Sequence, residues 1–227
     1  MCGRYARARD PMDYLRPLQF DRDPWLIDVD PAPRWNIAPR TRQLVAYADG
    51  SATSLAWGYR PAWAVSKGLQ PIINATIEKW STGAWKSLWT RGRVIVPADS
   101  WYEWLQVADG KQPYSIRRTD TVPLYFGGLV STGPGAAPRE GDGFVIVTTA
   151  ADGHLVDVHS RRPLVFDAGA ARAWLDAETA GLAREVAQSC NLPADAFEAY
   201  PVGRAVGNVH NDGPELVERA WPLRGGT

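Results

Sequence analysis

Two Asp-Gly dipeptides, at 49–50 and 109–110, each stand between a pair of apolar runs of strand length, and this punctuation constrains the fold more than any other feature. Asp-Gly supplies the positive φ that a tight hairpin turn needs, so the flanking runs are expected to pair antiparallel. The first hairpin joins Gln43–Ala48 to Ala52–Trp57, and the second joins Trp101–Val107 to Tyr114–Arg117. Arg93–Pro97, Leu124–Val130 and Phe144–Thr149 read as further strands. Helical signals are fewer. Asp10 as N-cap with Pro11 at the first helical position predicts a helix to about Leu18. Ala168–Leu175, headed by Asp167, and Thr179–Ser189 predict two more, being rich in Ala, Leu, Glu and Arg. Hairpin-linked strands with helices between and after them imply an α+β fold. The expectation is a single domain over residues 1–227, built on a mainly antiparallel, barrel-like β-sheet with flanking helices. The Gly- and Pro-rich stretch 131–143 reads as a surface loop, and Pro31 to Pro39 as an ordered irregular segment.

Composition narrows the classes of function. No run of 18 or more apolar residues occurs in the 227, so no membrane span is expected. The start Met1-Cys2-Gly3-Arg4-Tyr5 lacks the apolar stretch of a secretory signal, which makes the cytoplasm the expected location. Two Cys at opposite ends argue against a disulfide framework and a structural zinc site. There is no Walker or dinucleotide glycine loop, no His/Cys cluster at ligand spacing and no Gly-x-Ser-x-Gly, so neither a metal nor a cofactor is expected. Twenty-five Lys+Arg balance 25 Asp+Glu, which removes the global argument for nucleic acid. Yet only four of those cations are Lys (Lys67, Lys79, Lys86, Lys111). Arg suits bidentate phosphate contacts, although a genome rich in Arg codons gives the same excess. Eleven Trp serve equally as core, interface or stacking platforms for bases.

Cys2 leads the chemically suggestive residues because removal of Met1 by an aminopeptidase would expose it at the terminus. A terminal Cys carries an α-amine (pKa about 7.7–8.0) beside a thiol (about 8.5). The amine attacks an aldehyde to give a Schiff base, and the thiol closes a thiazolidine ring in an intramolecular step. The plain alternative is an accidental Cys in a frayed end. Glu103, in Trp101-Tyr102-Glu103-Trp104-Leu105, shares a strand face with Trp101 and Leu105; it is either a desolvated acid/base or an edge carboxylate reaching water. His159, in Asp157-Val158-His159-Ser160-Arg161-Arg162-Pro163, is a candidate neutral base whose pKa the two guanidiniums would lower, with Arg161 and Arg162 as a phosphate clamp. His154 and His210 read as surface or helix-end residues. Asn74 closes the apolar run Pro71-Ile72-Ile73 and either serves a site or caps a turn. The segments Arg34–Arg40, with Asn36 and Pro39, and Trp57–Trp63, with Arg60 and Trp63, interleave Arg and aromatics as single-strand grooves do, or as core Trp with solvated Arg do.

Taken in order, these segments resemble the SOS response-associated peptidase (SRAP) family of abasic-site processing proteins. The resemblance rests on Met-Cys-Gly-Arg at 1–4, Arg34-Trp35-Asn36-Ile37-Ala38-Pro39, Trp57-Gly58-Tyr59, Ile73-Asn74-Ala75, Trp101-Tyr102-Glu103-Trp104, His159-Ser160-Arg161-Arg162-Pro163 and Ala205-Val206-Gly207-Asn208-Val209. It runs nearly end to end. It implies the SRAP fold and a catalytic set of Cys2, Asn74, Glu103 and His159. It also implies a thiazolidine crosslink to the ring-opened abasic aldehyde in single-stranded DNA, with associated lyase and self-processing peptidase activity. Arg4, Asn36, Pro39, Arg60, Trp63, Arg161 and Arg162 are the implied DNA contacts, with Arg4, Arg161 and Arg162 on phosphates. Two departures stand out: Thr76 replaces an Arg common in the family, and Ala64 replaces an aromatic that often follows the Trp matching Trp63.

The expected partner is single-stranded DNA containing abasic sites, met by a monomer without membrane or metal. Two other readings fit the residues: a non-covalent single-stranded nucleic-acid-binding module, and an N-terminal-nucleophile amidohydrolase or peptidase in which Cys2 attacks an amide.

Overall fold

A computed structural model describes residues 2–83 and 85–220. Met1, whose removal the sequence reading invokes, lies outside the described residues. Along the chain run β1 (Tyr5–Arg7), α1 (Pro11–Leu15), β2 (Trp25–Ile27), β3 (Arg34–Ile37), β4 (Arg42–Ala46), β5 (Ser51–Ala56), α2 (Ala62–Ser66) and β6 (Asn74–Thr76). After them come α3 (Trp85–Arg91), β7 (Arg93–Ala98), β8 (Ser100–Val107), β9 (Gly110–Arg118), β10 (Leu124–Val130), β11 (Phe144–Ala150), β12 (Arg161–Pro163) and β13 (Val165–Phe166). The chain ends with α4 (Ala168–Asp176), α5 (Ala180–Ser189) and β14 (Phe197–Pro201), with short 3-10 turns between elements.

Both Asp-Gly hairpins form, β4 with β5 and β8 with β9. The expected caps are in place, Asp10 accepting from Met12 N–H and Asp167 from Ala170 N–H, while Thr179, expected as the first residue of its helix, caps it instead by accepting from Leu182 N–H. The α+β class with mainly antiparallel sheet therefore holds. The strands form two open sheets and not a closed barrel. One is ordered β14-β9-β8-β1-β3; the other runs β12-β11-β10-β7-β4-β5-β2, with β13 on β10 and β6 on β11. Part of the Pro-rich segment expected to be irregular is strand β3, which pairs Ile37 with Tyr5 across a bulge. Proline is tolerated there because β3 is an edge strand, and the prolines flank it.

One core fills the space between the sheets: Tyr5, Ile37, Trp101 and Phe197 from the first meet Val96, Phe126 and Ile146 from the second. A second core packs α3, α4 and α5 on the far face of the larger sheet, where Trp89 and Trp174 meet edge to face at 5.0 Å. Burying each such side chain contributes about 2–3 kcal/mol, so the Trp excess is spent first on cores. Period-2 alternation along β8 works as the sequence suggests. Trp101 joins the inter-sheet core, while Tyr102 faces a third, smaller cluster with Tyr200 and Val206.

Strand β1 carries the amino-terminal segment into this arrangement. It pairs Tyr5 with Trp101 and Ala6 with Ser100, and Tyr102 N–H donates to the Arg4 carbonyl at 2.9 Å. Continued by that bond, the register brings Gly3 opposite Glu103. The far end of β1 is pinned by Asp99, whose carboxylate accepts from Ala8 N–H at 2.6 Å, Arg9 Nε at 2.7 Å and Tyr14 Oη at 2.6 Å.

Candidate active site around Cys2

The Cys2 side chain is fully buried against the inter-sheet core. β6 lies parallel to β11, pairing Asn74 with Ile146, and from there Asn74 Nδ2 donates to the Cys2 carbonyl at 2.9 Å. Asn74 Oδ1 is buried and has no hydrogen-bond partner among the described residues, which leaves an acceptor available. β8 brings Glu103 to the same place at 4 % exposure. Burial raises its carboxyl to about 7, against a smaller downward pull from the positive charge at the amino terminus. The Cys2 thiol is pushed well above its ordinary range, chiefly by burial and secondarily by the Glu103 charge. At neutral pH the thiol therefore keeps its proton while Glu103 is poised to exchange one.

His159 follows the 3-10 turn Gly153–Asp157 and is half-buried. Its Nδ1 lies 2.9 Å from Arg161 N–H and 3.0 Å from the Arg161 carbonyl, so the Arg161 backbone fixes the ring. Its pKa is lowered, as expected, but the cause differs from the expectation. Desolvation is the larger cause and the amino-terminal charge the second. The two guanidiniums are neutralised: Arg161 binds Glu78 bidentately at 2.8 and 3.1 Å, and Arg162 Nε binds Asp152 at 2.8 Å. Geometry brings Asn74 and Glu103 to the start of the chain, through the Asn74 bond to the Cys2 carbonyl and the pairing of β1 with β8.

The expected DNA contacts divide into exposed and interior groups. Trp63, on α2, is 54 % exposed, whereas Ala64 beside it is buried, so Trp63 alone of the two can meet a ligand. The α2 segment leaves the sheet at the Tyr59–Ile72 bridge, two residues before Asn74. Gly58 makes that departure possible: its φ is +142°, and a Cβ there would meet Pro71 at 2.8 Å. Arg60 is half-buried and pairs with Glu140 at 3.1 Å. Pro39 is half-buried on the rim of a 720 Å³ cavity shared with Arg34, His210 and Asp212. Arg161 keeps partial exposure and is backed by the Thr148 carbonyl at 2.7 Å.

Two expectations give way here. Arg162 is only 3 % exposed, and its donors go to Asp152, Asn191 Oδ1 and the Leu192 carbonyl, so it is an internal clasp and not a phosphate contact. Asn36 is buried, with its Nδ2 shared among the carbonyls of Val206, Asn208 and Asn211 and its Oδ1 accepting from Arg4 Nη1 at 2.6 Å. It ties β3 to the 205–211 segment. Arg4 Nη1 also donates to the Val206 carbonyl at 2.8 Å, leaving a half-buried guanidinium fixed beside the site.

Glu78 is the participant that sequence reasoning left without a role. Its signal was its position four residues after Asn74, which a single 3-10 turn converts into a grip on Arg161. Among the described residues no group of His, Cys, Asp or Glu is placed to hold a metal ion, and no helix is long and apolar enough to cross a membrane. Cys2 and Cys190 are both free thiols.

A family model described as SOS response associated peptidase (SRAP) matches residues 1–209. The chain is 44 % identical over 227 residues to the abasic site processing protein YedK of Escherichia coli, covering 96 % of this chain and 99 % of that one. It is 30 % identical to YoqW of Bacillus subtilis, named likewise, with the same coverage, and 27 % identical to HMCES of Gallus gallus over 96 % of this chain and 77 % of that one. A crystal structure of a phage-related protein from Bordetella bronchiseptica superposes with a TM-score of 0.74 at 37 % identity, covering 88 % of this chain and 94 % of that one. A Bacteroides thetaiotaomicron protein shares the fold with a TM-score of 0.76 at 16 % identity, covering 97 % and 100 %.

Proposed function

The chain belongs to the SRAP family, whose named relatives are abasic site processing proteins, and we propose that it captures abasic single-stranded DNA covalently through Cys2. The observation that carries this reading is the convergence of Asn74 and Glu103 on Cys2, in a buried setting that keeps the thiol protonated and raises the Glu103 carboxyl toward neutrality.

That electrostatic setting orders the chemistry. With the thiol neutral, the first nucleophile is the α-amine that Cys2 carries once Met1 is removed. The amine nitrogen bonds to C1′ of the ring-opened sugar, and the resulting carbinolamine loses water to give an iminium ion. Glu103, protonated, gives its proton to the departing hydroxyl. As a carboxylate it then takes the thiol proton while sulfur bonds to C1′ and the C=N pair returns to nitrogen. The product is a thiazolidine, formed with net loss of one water. Closure is intramolecular, which favours the ring over hydrolysis of the imine. Asn74 holds the Cys2 backbone by its amide N–H and offers Oδ1 to the sugar or to the carbinolamine. His159 would assist opening of the deoxyribose ring and contact the 3′ phosphate.

Proton loss from C2′ of the iminium, followed by departure of the 3′ phosphate, would give lyase activity from the same intermediate. Cleavage of the peptide bond before Cys2, where the nitrogen is still acylated, would use the thiol instead. Sulfur bonds to the preceding carbonyl carbon, the C–N bond breaks as the nitrogen takes a proton from Glu103, and water then hydrolyses the thioester to regenerate the thiol. Incubation with an abasic oligonucleotide tests the reading: the expected product survives heat and SDS and is missing with Cys2→Ala. Undiminished crosslinking by Cys2→Ala would overturn it. Equal affinity for intact and abasic DNA without any covalent product would favour the binding-module reading, and DNA-independent turnover of an amide would favour the amidohydrolase.

A further inference from the structure

The candidate site does not end at Arg161. The Glu78 carboxylate that binds Arg161 also lines a separate open cavity of about 540 Å³. Trp80, Thr149, Arg184, Gln188 and Asn191 line the rest of its polar and aromatic wall. The indole of Trp80 is half-exposed, and the Arg184 guanidinium lies over it at 5.4 Å. Arg184 and Gln188 project from α5 four residues apart, so they occupy one exposed face of that helix. The carboxylate in the wall is already neutralised by Arg161. What the cavity presents to solvent is the half-exposed Trp80 indole with the Arg184 guanidinium over one of its faces, a cation in no salt bridge among the described residues, together with amide and hydroxyl groups. This is the chemistry that holds a nucleotide: stacking for the base, a guanidinium for the phosphate, and hydrogen bonds to the base edge. The connection to the site is short, because β6 runs from Asn74 directly into the turn Ile77–Lys79 that carries Glu78 and delivers Trp80.

We propose that this cavity is a subsite for the nucleotide on the 3′ side of the lesion, with its base against Trp80 and its phosphate on Arg184. The proposal rests on the reading of Cys2 as an abasic-site nucleophile, with the 3′ phosphate passing His159 and Arg161. It gives the Trp80–Arg184 pair a function that neither core packing nor the chemistry at C1′ uses.

The test is equilibrium binding to single-stranded oligonucleotides carrying a tetrahydrofuran abasic analogue, which has no aldehyde and so cannot crosslink. The lesion is placed at the 3′ end, or followed by three nucleotides, with matched 5′ extensions as controls. For the unaltered protein the 3′ extension should tighten binding about tenfold. Trp80→Ala should abolish that gain and Trp80→Phe should keep most of it. Because Trp80 also packs against the helical core, Arg184→Glu provides the independent arm: it alters only an exposed side chain and should lose the gain as well. A gain that is missing in the unaltered protein, confined to the 5′ extension, or undiminished in Arg184→Glu overturns the subsite while leaving covalent capture standing. Failure of the unaltered protein to bind any of the oligonucleotides overturns both.

Discussion

Glu103 concentrates the energetic conflict of the site. Its folded-state pKa, about 7, lies above the ordinary carboxyl value, so the native state holds the proton more tightly than the unfolded chain does. Below pH about 4.5 both states are protonated and no stability is lost; stability then falls as pH rises through 7, where the native state is left with a buried carboxylate. Glu103→Gln, neutral at every pH, should therefore be more stable than the natural chain at pH 8 by about 2 kcal/mol, with little difference at pH 4.5, as read from urea denaturation. The same substitution should slow crosslinking about a hundredfold, because Gln can neither give nor take the proton. Arg161 and Arg162, adjacent in sequence, should separate. Arg161→Ala should weaken DNA binding and lower the salt-dependence slope by about 0.7, the share of one single-strand phosphate contact. Arg162→Ala should instead cost about 2 kcal/mol of folding stability and leave that slope unchanged, since its guanidinium is enclosed by Asp152, Asn191 and Leu192. Sequence placed the two side by side in a basic motif. Only alternation along β12 and the reach of Glu78 and Asp152 decide which one meets solvent.

At the scale of elements, what a local signal dictates was legible. Asp-Gly turns, capping residues and apolar runs located both hairpins, α1, α4, α5 and the long strands β10 and β11. The short strands were not legible, because three residues carry no period. Trp25–Ile27 is a strand only through parallel pairing with β5, and Asn74–Thr76 only through parallel pairing with β11. The second of these positions Asn74, so that part of the site depends on a contact between residues 72 apart in the chain. Asn36 illustrates the converse. Its motif was visible, but the motif marks a structural clasp between β3 and the 205–211 segment. Asn36→Ala removes an acceptor for Arg4 and a donor to three carbonyls, and should destabilise the protein by about 2 kcal/mol in thermal or chemical denaturation. Helix α2 behaves oppositely: Trp63→Ala, on its exposed face, should reduce DNA affinity several-fold with unchanged stability.

Across the whole molecule the balanced charge of the chain is reconciled with a DNA site by how its cations are committed. Arg9, Arg34, Arg42, Arg60, Arg117 and Arg172 are each in an ion pair with a nearby carboxylate, so the Arg excess does not generate a broad positive field. Affinity for undamaged DNA should accordingly be weak, leaving selectivity to the reaction at the lesion. The two open sheets bury Cys2 at their junction, where β1 brings the start of the chain beside Glu103 and β6 brings Asn74. In the proposed capture Cys2 supplies both nucleophilic atoms. This is tested most directly by the intact mass of the product with an abasic oligonucleotide, followed by mapping of the attachment point. The expected product has the summed masses less one water and is attached at Cys2 as the first residue, with no heat-stable product from Cys2→Ala. A heat-stable product at full yield from Cys2→Ala, or attachment mapped to a lysine, would contradict it.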